Sequence, residues 1–434
     1  MEEKPSRLFK VVRGFVKWTL IVAAVFVLLY GLLDLLGSRR EKAVRARWAQ
    51  SVGSLEAFQS ALPETKRNAE AQTLEALAGT LGLGLDEAKA PWKDVKGPVS
   101  DYVKTELSRP SSEILAPPAP VSAFLAFQHE GIAAVRRQLI DGATPIWEEH
   151  RTDLYNAPMP RLMPILEIQR LLTTDALAAI QRGERDEAAH DLEACWRLQE
   201  ALSNRPELIS ALVRMALVRL SAGVLRKFDC APAVWAERLV SYDPKPDLLK
   251  GYKHEACALL EIGQPGKNWA ISLGLQRPLS SRLARPYLRL CAADSAGILL
   301  DLVEAVRNED PCVQDFAPKL APVSKRIPWW DIISRIAVPN LAAWARAGRI
   351  QVDVELTRKI LEARAARDKN SGSWPPSLPG IEASVCKAEK WTYTLSPDRL
   401  AIAFSRDFPP PSAQSFMLPL RHEEAVAAAA RKGR

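Results

Sequence analysis

The chain has 434 residues, 47% of them hydrophobic and 25% charged, and a formal net charge of +8. This is the composition of a folded protein with room for two or three domains of roughly 100–200 residues, and it excludes global disorder. The location of the charge excludes a nucleic-acid partner: ten basic groups (Lys4, Arg7, Lys10, Arg13, Lys17, Arg39, Arg40, Lys42, Arg45, Arg47) face only Glu2, Glu3, Asp34 and Glu41 in the first fifty residues, so the rest of the chain nets +2. Basic groups flanking an apolar helix answer to lipid headgroups and insertion topology, which leaves no excess for a phosphate-binding surface.

A basic N-terminal tail (1–14) leads into the most distinctive segment, 15–36. From Trp18 to Leu33 the chain reads WTLIVAAVFVLLYGLL without a charge, and Leu35 and Leu36 extend it past Asp34. As a helix this stretch measures roughly 28 Å, the thickness of the hydrocarbon core. It is too long for the apolar region of a cleaved signal peptide, and Gly37-Ser38 runs into Arg39-Arg40 without a small-x-small cleavage site, so an uncleaved signal anchor is expected. The lipid bilayer is therefore one expected partner, through residues 15–36. Five basic residues lie on each side of the span. The commoner arrangement for such an anchor puts the short tail inside and the long body outside, in the periplasm of a bacterium.

Residues 37–120 read as a helical stalk followed by a Pro/Gly-rich connector. The helical pattern continues from Glu41 to Leu62, and a further helix covers Glu64 to Leu81. Gly82, Gly84, Pro91, Gly97 and Pro98 then break the chain into short pieces, and RPSSEILAPPAP (109–120) has a linker composition.

A helical body, 121–369, follows, with helices expected at 121–140, 161–182, 185–203, 206–228, 232–242 and 286–308, and at Trp329–Ala347 and Val352–Lys369. Ala178, Gly183, Ala188, Leu192 and Cys195 in DALAAIQRGERDEAAHDLEACWRLQEAL resemble one tetratricopeptide-type hairpin, in which the glycine makes the turn and small residues let the helices approach. No second copy appears near a 34-residue period, so a repeat array is not expected.

In the C-terminal unit, 370–421, the period changes from helical to alternating. WTYTL (391–395), the turn SPDR and LAIAF (400–404) form a β-hairpin, with SFMLPL (415–420) as a third strand and 422–434 as a flexible tail. So small a sheet is marginal alone, which requires Trp391, Tyr393 and Phe404 to bury against helices. The fold class is thus mainly α: an N-terminal transmembrane helix, a multi-helix soluble body with a tetratricopeptide-like hairpin and a small C-terminal β-hairpin. Of the twelve tryptophans, Trp18 and Trp48 are assigned to the membrane interface and most others to the core.

The anchor, PETKRNAEA (63–71), the G-E-R-D-E-A-A turn, RPELISALVRMAL (205–217) and ILEARAARDKNSGSWPPSLPGI (360–381) together resemble an uncharacterised family of bacterial single-pass, membrane-anchored helical proteins. The resemblance implies an architecture and brings no activity. The closing helix, G-x-W-P-x-S-L and hairpin are similar to the C-terminal part of pseudopilins, in which the hydrophobic helix packs directly on that small unit.

The chemistry the sequence offers is thin. Glu187-Ala-Ala-His190 puts two ligand types on one helix face, but a carboxylate-bridged metal pair needs a second Glu-x-x-His, which is missing. His129-Glu130, His254-Glu255 and His422-Glu423 lack the following histidine of a zinc peptidase. Ala293-Asp294-Ser295-Ala296-Gly297 is a degenerate nucleophile elbow inside a segment of helical period, whereas an elbow must follow a strand. GTLGLGL (79–85) lacks the Lys-Ser/Thr ending of a phosphate loop. Cys195, Cys230, Cys257, Cys291, Cys312 and Cys386 have no zinc spacing and read as buried small hydrophobes or, in an oxidising compartment, as one or two disulfides. No catalytic, cofactor-binding or metal residue is assigned and no cofactor is expected. The leading expectation is a non-enzymatic protein-binding or envelope-assembly component of the cytoplasmic membrane with an unidentified protein partner; the alternative is a membrane-tethered hydrolase whose site is assembled from distant loops.

Overall fold

The computed structural model describes residues 7–83, 89–149, 162–229, 231–262, 278–308, 342–406 and 421–425, with single positions 327, 330, 331 and 334. Among them are thirteen helices: α1 (Arg7–Ser51), α2 (Leu55–Ala61), α3 (Ala69–Thr80), α4 (Trp92–Ser108), α5 (Ala119–Phe127), α6 (His129–Asp141), α7 (Leu162–Arg182), α8 (Arg185–Ala201), α9 (Leu208–Lys227), α10 (Val234–Ser241), α11 (Pro244–Ile262), α12 (Pro278–Asn308) and α13 (Ala342–Lys369). Strands β1 (Trp391–Leu395), β2 (Arg399–Phe404) and β3 (Arg421–Ala425) form one antiparallel sheet in sequential order. The mainly helical class with a small C-terminal sheet is the one the residue pattern gives.

The first helix has two environments. Its apolar stretch, from Phe15 to Leu36, stands exposed with Phe15, Trp18, Leu20, Val27 and Leu28 open along it, and it is long and apolar enough to cross a membrane. Beyond Leu36 the same helix enters the body. Gly37 lies so close to α12 that a Cβ there would sit 3.2 Å from the Leu290 nitrogen and 3.3 Å from the Pro286 carbonyl oxygen. Residues expected as a stalk are therefore packed: Glu41 is buried, and Trp48 is 1% exposed in the main core, edge-on to Phe58, and not at an interface. The helix breaks at Gly53, and Ser54 then caps α2 by accepting from the Ala57 amide.

Helix α9 is also long and apolar enough to cross a membrane, but it is mostly buried inside the body. It separates two apolar clusters. One joins the end of α1 to α9, α11, α12 and α13. The other joins α3 to α8, with Trp92, Phe124, Leu171 and Leu198 at its centre. Gln169 of α7 and Gln199 of α8 both donate to Ser221 Oγ of α9, at 3.0 and 2.6 Å, so three helices meet at one hydroxyl. Gly183, with φ +82°, makes the α7–α8 turn that its place in the hairpin requires.

Several boundaries differ from the sequence reading. Pro98 does not end a short piece: α4 runs through it, losing one backbone hydrogen bond while burying Trp92, Val95, Val99, Tyr102 and Val103. The 121–140 helix is two, α5 and α6, divided at Gln128. Helix α12 begins at Pro278 and carries Pro286 inside it, and α13 is continuous across the expected break at 347–352. Most of 329–341 lies outside the described residues, as do 415–420. A third strand is formed by Arg421–Ala425, four residues of which fall in the expected flexible tail (422–434). Its outer side pairs with the linker, where Ser112 N donates to Glu423 O and Glu423 N to Pro110 O.

The sheet does not stand alone. Trp391, Leu400, Ile402 and Phe404 pack with Trp374 against Val352, Leu356, Ile360 and Ala363 of α13. Trp391 pairs with Phe404 across the hairpin, and the half-buried Tyr393 donates to the Pro375 carbonyl at 2.6 Å. The burial that so small a sheet needs is thus supplied by one helix.

Candidate functional site

Among the described residues, four clusters of ion-paired groups join one element to another. At the seam nearest the apolar stretch, α1 and α12 run parallel and are joined by a ladder of ion pairs. Arg289 reaches Asp34 at 3.6 Å and Glu41 at 2.6 Å, Arg40 reaches Asp294 at 3.7 Å, and Arg47 reaches Asp301 at 2.6 Å and Glu304 at 2.9 Å. Arg45 bonds Glu41 at 2.8 Å and the Leu260 carbonyl of α11 at 3.0 Å. Burial works against the Glu41 charge, but hydrogen bonds from Arg289 and Arg45 outweigh it and lower its pKa.

The second seam centres on Arg136 of α6, which bonds Asp175 of α7 and Asp191 of α8 at 2.8 Å each, and Glu187 as well. Three carboxylates share one guanidinium. Asp191, fully buried beside Asp175, has its pKa pushed well up by burial first and by the Asp175 charge second. Glu187 thus serves an ion pair, while His190 of the same E-x-x-H points to solvent.

At the third, Arg205 bonds Glu149 at 3.1 Å and Glu207 at 2.5 Å, and Ser210 donates to Glu207 at 3.0 Å. Burial raises Glu149 and Glu255 to about 7 and lowers the nearby His254 to about 4. His254 is therefore a neutral, buried imidazole, and its Nδ1 has no hydrogen-bond partner among the described residues.

The fourth seam fastens the C-terminal sheet. Arg364 of α13 bonds Glu424 of β3 at 2.5 Å and donates to the carbonyls of Leu225, Arg226 and Phe228, at 3.2, 2.6 and 2.9 Å, at the C-terminal end of α9. Arg226 bonds Asp353 at 2.6 Å and Thr357 at 2.9 Å. His422 lies 3.1 Å from Glu424. Burial opposes the Glu424 charge, but the His422 hydrogen bond and the Arg364 charge prevail and hold it at about 2, while burial lowers His422 to about 4.

The other residues weighed from the sequence are not brought together. Ser295 is fully buried within α12; its Oγ donates to the Cys291 carbonyl at 2.8 Å and lies 2.7 Å from Ser334 Oγ, which donates to Asp331 at 2.6 Å. Among the described residues no imidazole joins this series of hydrogen bonds, and Ser295 lies inside a helix instead of at the end of a strand. Burial pushes the Cys291 thiol up to about 12. His129 is exposed, and His422 meets Glu424 instead of its neighbour Glu423. Cys195, Cys257 and Cys291 are free and buried, Cys386 is in a disulfide, and Cys230 and Cys312 lie outside the described residues, as does the end of GTLGLGL. Among the described residues, no group of three His, Cys, Asp or Glu is placed to hold a metal ion.

Sequence reasoning missed the α1–α12 ladder. Its signal was present in the seven-residue spacing of Asp34 and Glu41 and of Arg40 and Arg47, two rows that flank Gly37 and Val44 on the helix, but the complementary groups of α12 lie some 250 residues away. Against known proteins, no family model, no curated protein and no solved structure matches the chain.

Proposed function

We propose that this is a single-pass membrane protein of the bacterial envelope whose helical body is a non-enzymatic platform for another protein, held at a fixed attitude to the cytoplasmic membrane. The observation that carries this reading is the continuity of α1, one unbroken helix from the exposed apolar stretch into the core at Trp48. A tether meant only to keep a domain near a bilayer would be served by a flexible linker. Here the helix is locked along α12 by the ladder and by the close approach at Gly37, so the body has a set height and tilt. The buried arginines Arg136, Arg226 and Arg364 each join one element to another, which supports a scaffold over a catalyst. The disulfide at Cys386 supports an extracytoplasmic body, since such bonds persist in oxidising compartments.

The topology is tested by a pair of C-terminal reporters on the full chain, one active only outside the cytoplasmic membrane and one only inside. Outside-only activity is expected; inside-only activity overturns the placement. Cross-linking in native membranes, followed by identification of the adducts, tests the platform. A specific protein adduct on the body is expected, whereas covalent labelling of a body residue by a serine- or cysteine-directed activity probe would favour a tethered hydrolase.

A further inference from the structure

The α1–α12 seam extends past the last ion pair. Gly37 is level with the turn of α12 that holds Pro286 and Leu290, and α12 continues back from there to Pro278. That overhang is roughly 12 Å at about 1.5 Å per residue, and because the helices run parallel it lies alongside the final turns of the apolar stretch. Arg285 is in it, one turn nearer the apolar stretch than Arg289.

The two arginines differ in their partners. Arg289 is held between Asp34 and Glu41. Arg285, half-buried, has no ion pair or hydrogen bond among the described residues, and its Nε is enclosed without an acceptor. A guanidinium at the border of the hydrocarbon cannot stay unpaired there, and arginines in this position reach for lipid phosphates. The planar fork of donors suits a phosphate better than a point charge does.

We infer that the first turns of α12 lie at the boundary between the hydrocarbon and the headgroup layer and that Arg285 binds the phosphate of an anionic phospholipid beside α1. This rests on the reading of α1 as a membrane span. It gives the body a second membrane contact, which would fix rotation about α1 as well as depth.

The test uses full-length protein reconstituted in nanodiscs of phosphatidylcholine and phosphatidylglycerol, with retained lipids counted by native mass spectrometry after release. Wild type is expected to retain phosphatidylglycerol preferentially, R285Q to lose that preference by about fivefold, and R285K to keep part of it. Lys390→Gln, which removes a charge beside the C-terminal sheet, should behave as wild type. Equal preference in wild type and R285Q overturns the assignment, and so does displacement of the lipid by inorganic phosphate at matched ionic strength, which would mark a soluble-anion site. Alkaline extraction separates this from the anchor: release of wild type from membranes overturns both readings, whereas firm retention of wild type and R285Q with equal lipid preference overturns the Arg285 site alone.

Discussion

Replacing Arg364 with Met should be among the most damaging single changes outside the apolar core. The side chain is 3% exposed and holds Glu424, which is 5% exposed, together with three carbonyls at the end of α9. Met fills a similar volume but leaves a buried carboxylate with only His422 beside it. Removing one partner of a buried pair costs about 3–5 kcal/mol. The native chain can limit the loss by protonating Glu424, and taking a carboxyl of ordinary pKa to its neutral form at pH 7 costs about 3 kcal/mol, so the two figures agree. The sign with pH follows. In wild type Glu424 is held at about 2, below its ordinary value, so its contribution is present above about 4.5 and lost as pH falls toward 2. In R364M the carboxyl is raised instead, and the deficit relative to wild type should shrink as pH falls from 7 toward 5. The double substitution with Glu424→Leu should recover about 2 kcal/mol or more, because the stranded charge is gone. Urea unfolding in detergent, followed by tryptophan fluorescence at several pH values, measures all three proteins. A deficit under about 1 kcal/mol at pH 7, or one that does not change with pH, would refute the reasoning.

Gly251→Ala should destabilise by about 1–3 kcal/mol, since its Cβ would lie 2.7 Å from the Leu208 Cα, whereas Gly79→Ala, with open space around it inside α3, should stabilise by up to about 1 kcal/mol; melting temperatures of the two variants give the comparison. Cys195, Cys257 and Cys291 are buried and free, so a maleimide should leave them unmodified in the native protein and modify them after denaturation, as read by mass spectrometry. His254 is held at about 4, below its ordinary value, so the folded state refuses a proton that the unfolded chain accepts below about 6.5, and stability is lost as pH falls through that window. His254→Asn should make the pH dependence of stability shallower there by up to one proton, about 1.4 kcal/mol per pH unit, and an unchanged slope would exclude the role.

What the sequence disclosed follows from the range of the forces involved. Local periodicity made the apolar stretch, the α7–α8 hairpin with Gly183 and the β1–β2 hairpin readable, because each is set by neighbours within a few residues. Pro98 was read as a breaker because its cost is local, whereas its compensation, the burial of Trp92 and Tyr102, is tertiary. The same reason hid β3. Its sequence, RHEEA, has the composition of a solvated tail, and only Arg364, some sixty positions earlier, makes burial of His422 and Glu424 possible. The ion-pair seams were illegible as sites for a further reason: a buried pair has no motif, only a partner.

The ladder along α1 and α12 is better understood as a register device than as a source of stability. Most of its groups keep partial contact with water, as with Arg40 at 67% exposed, and pairs of that kind contribute about 0–1 kcal/mol each. An apolar seam would stabilise as well, but it would continue the greasy surface of residues 15–36 without marking where the body begins, and α12 could slide along it. Charges at Asp34, Arg40, Glu41 and Arg47 remove that freedom, because a slip of one turn moves each partner by about 5.4 Å and breaks the pairs. The same slip would bring Leu33 or Glu41 to the point of closest approach in place of Gly37, where even a Cβ would crowd the backbone of α12. Attractive and repulsive elements thus select one register, and that register sets the height of the body relative to the apolar stretch.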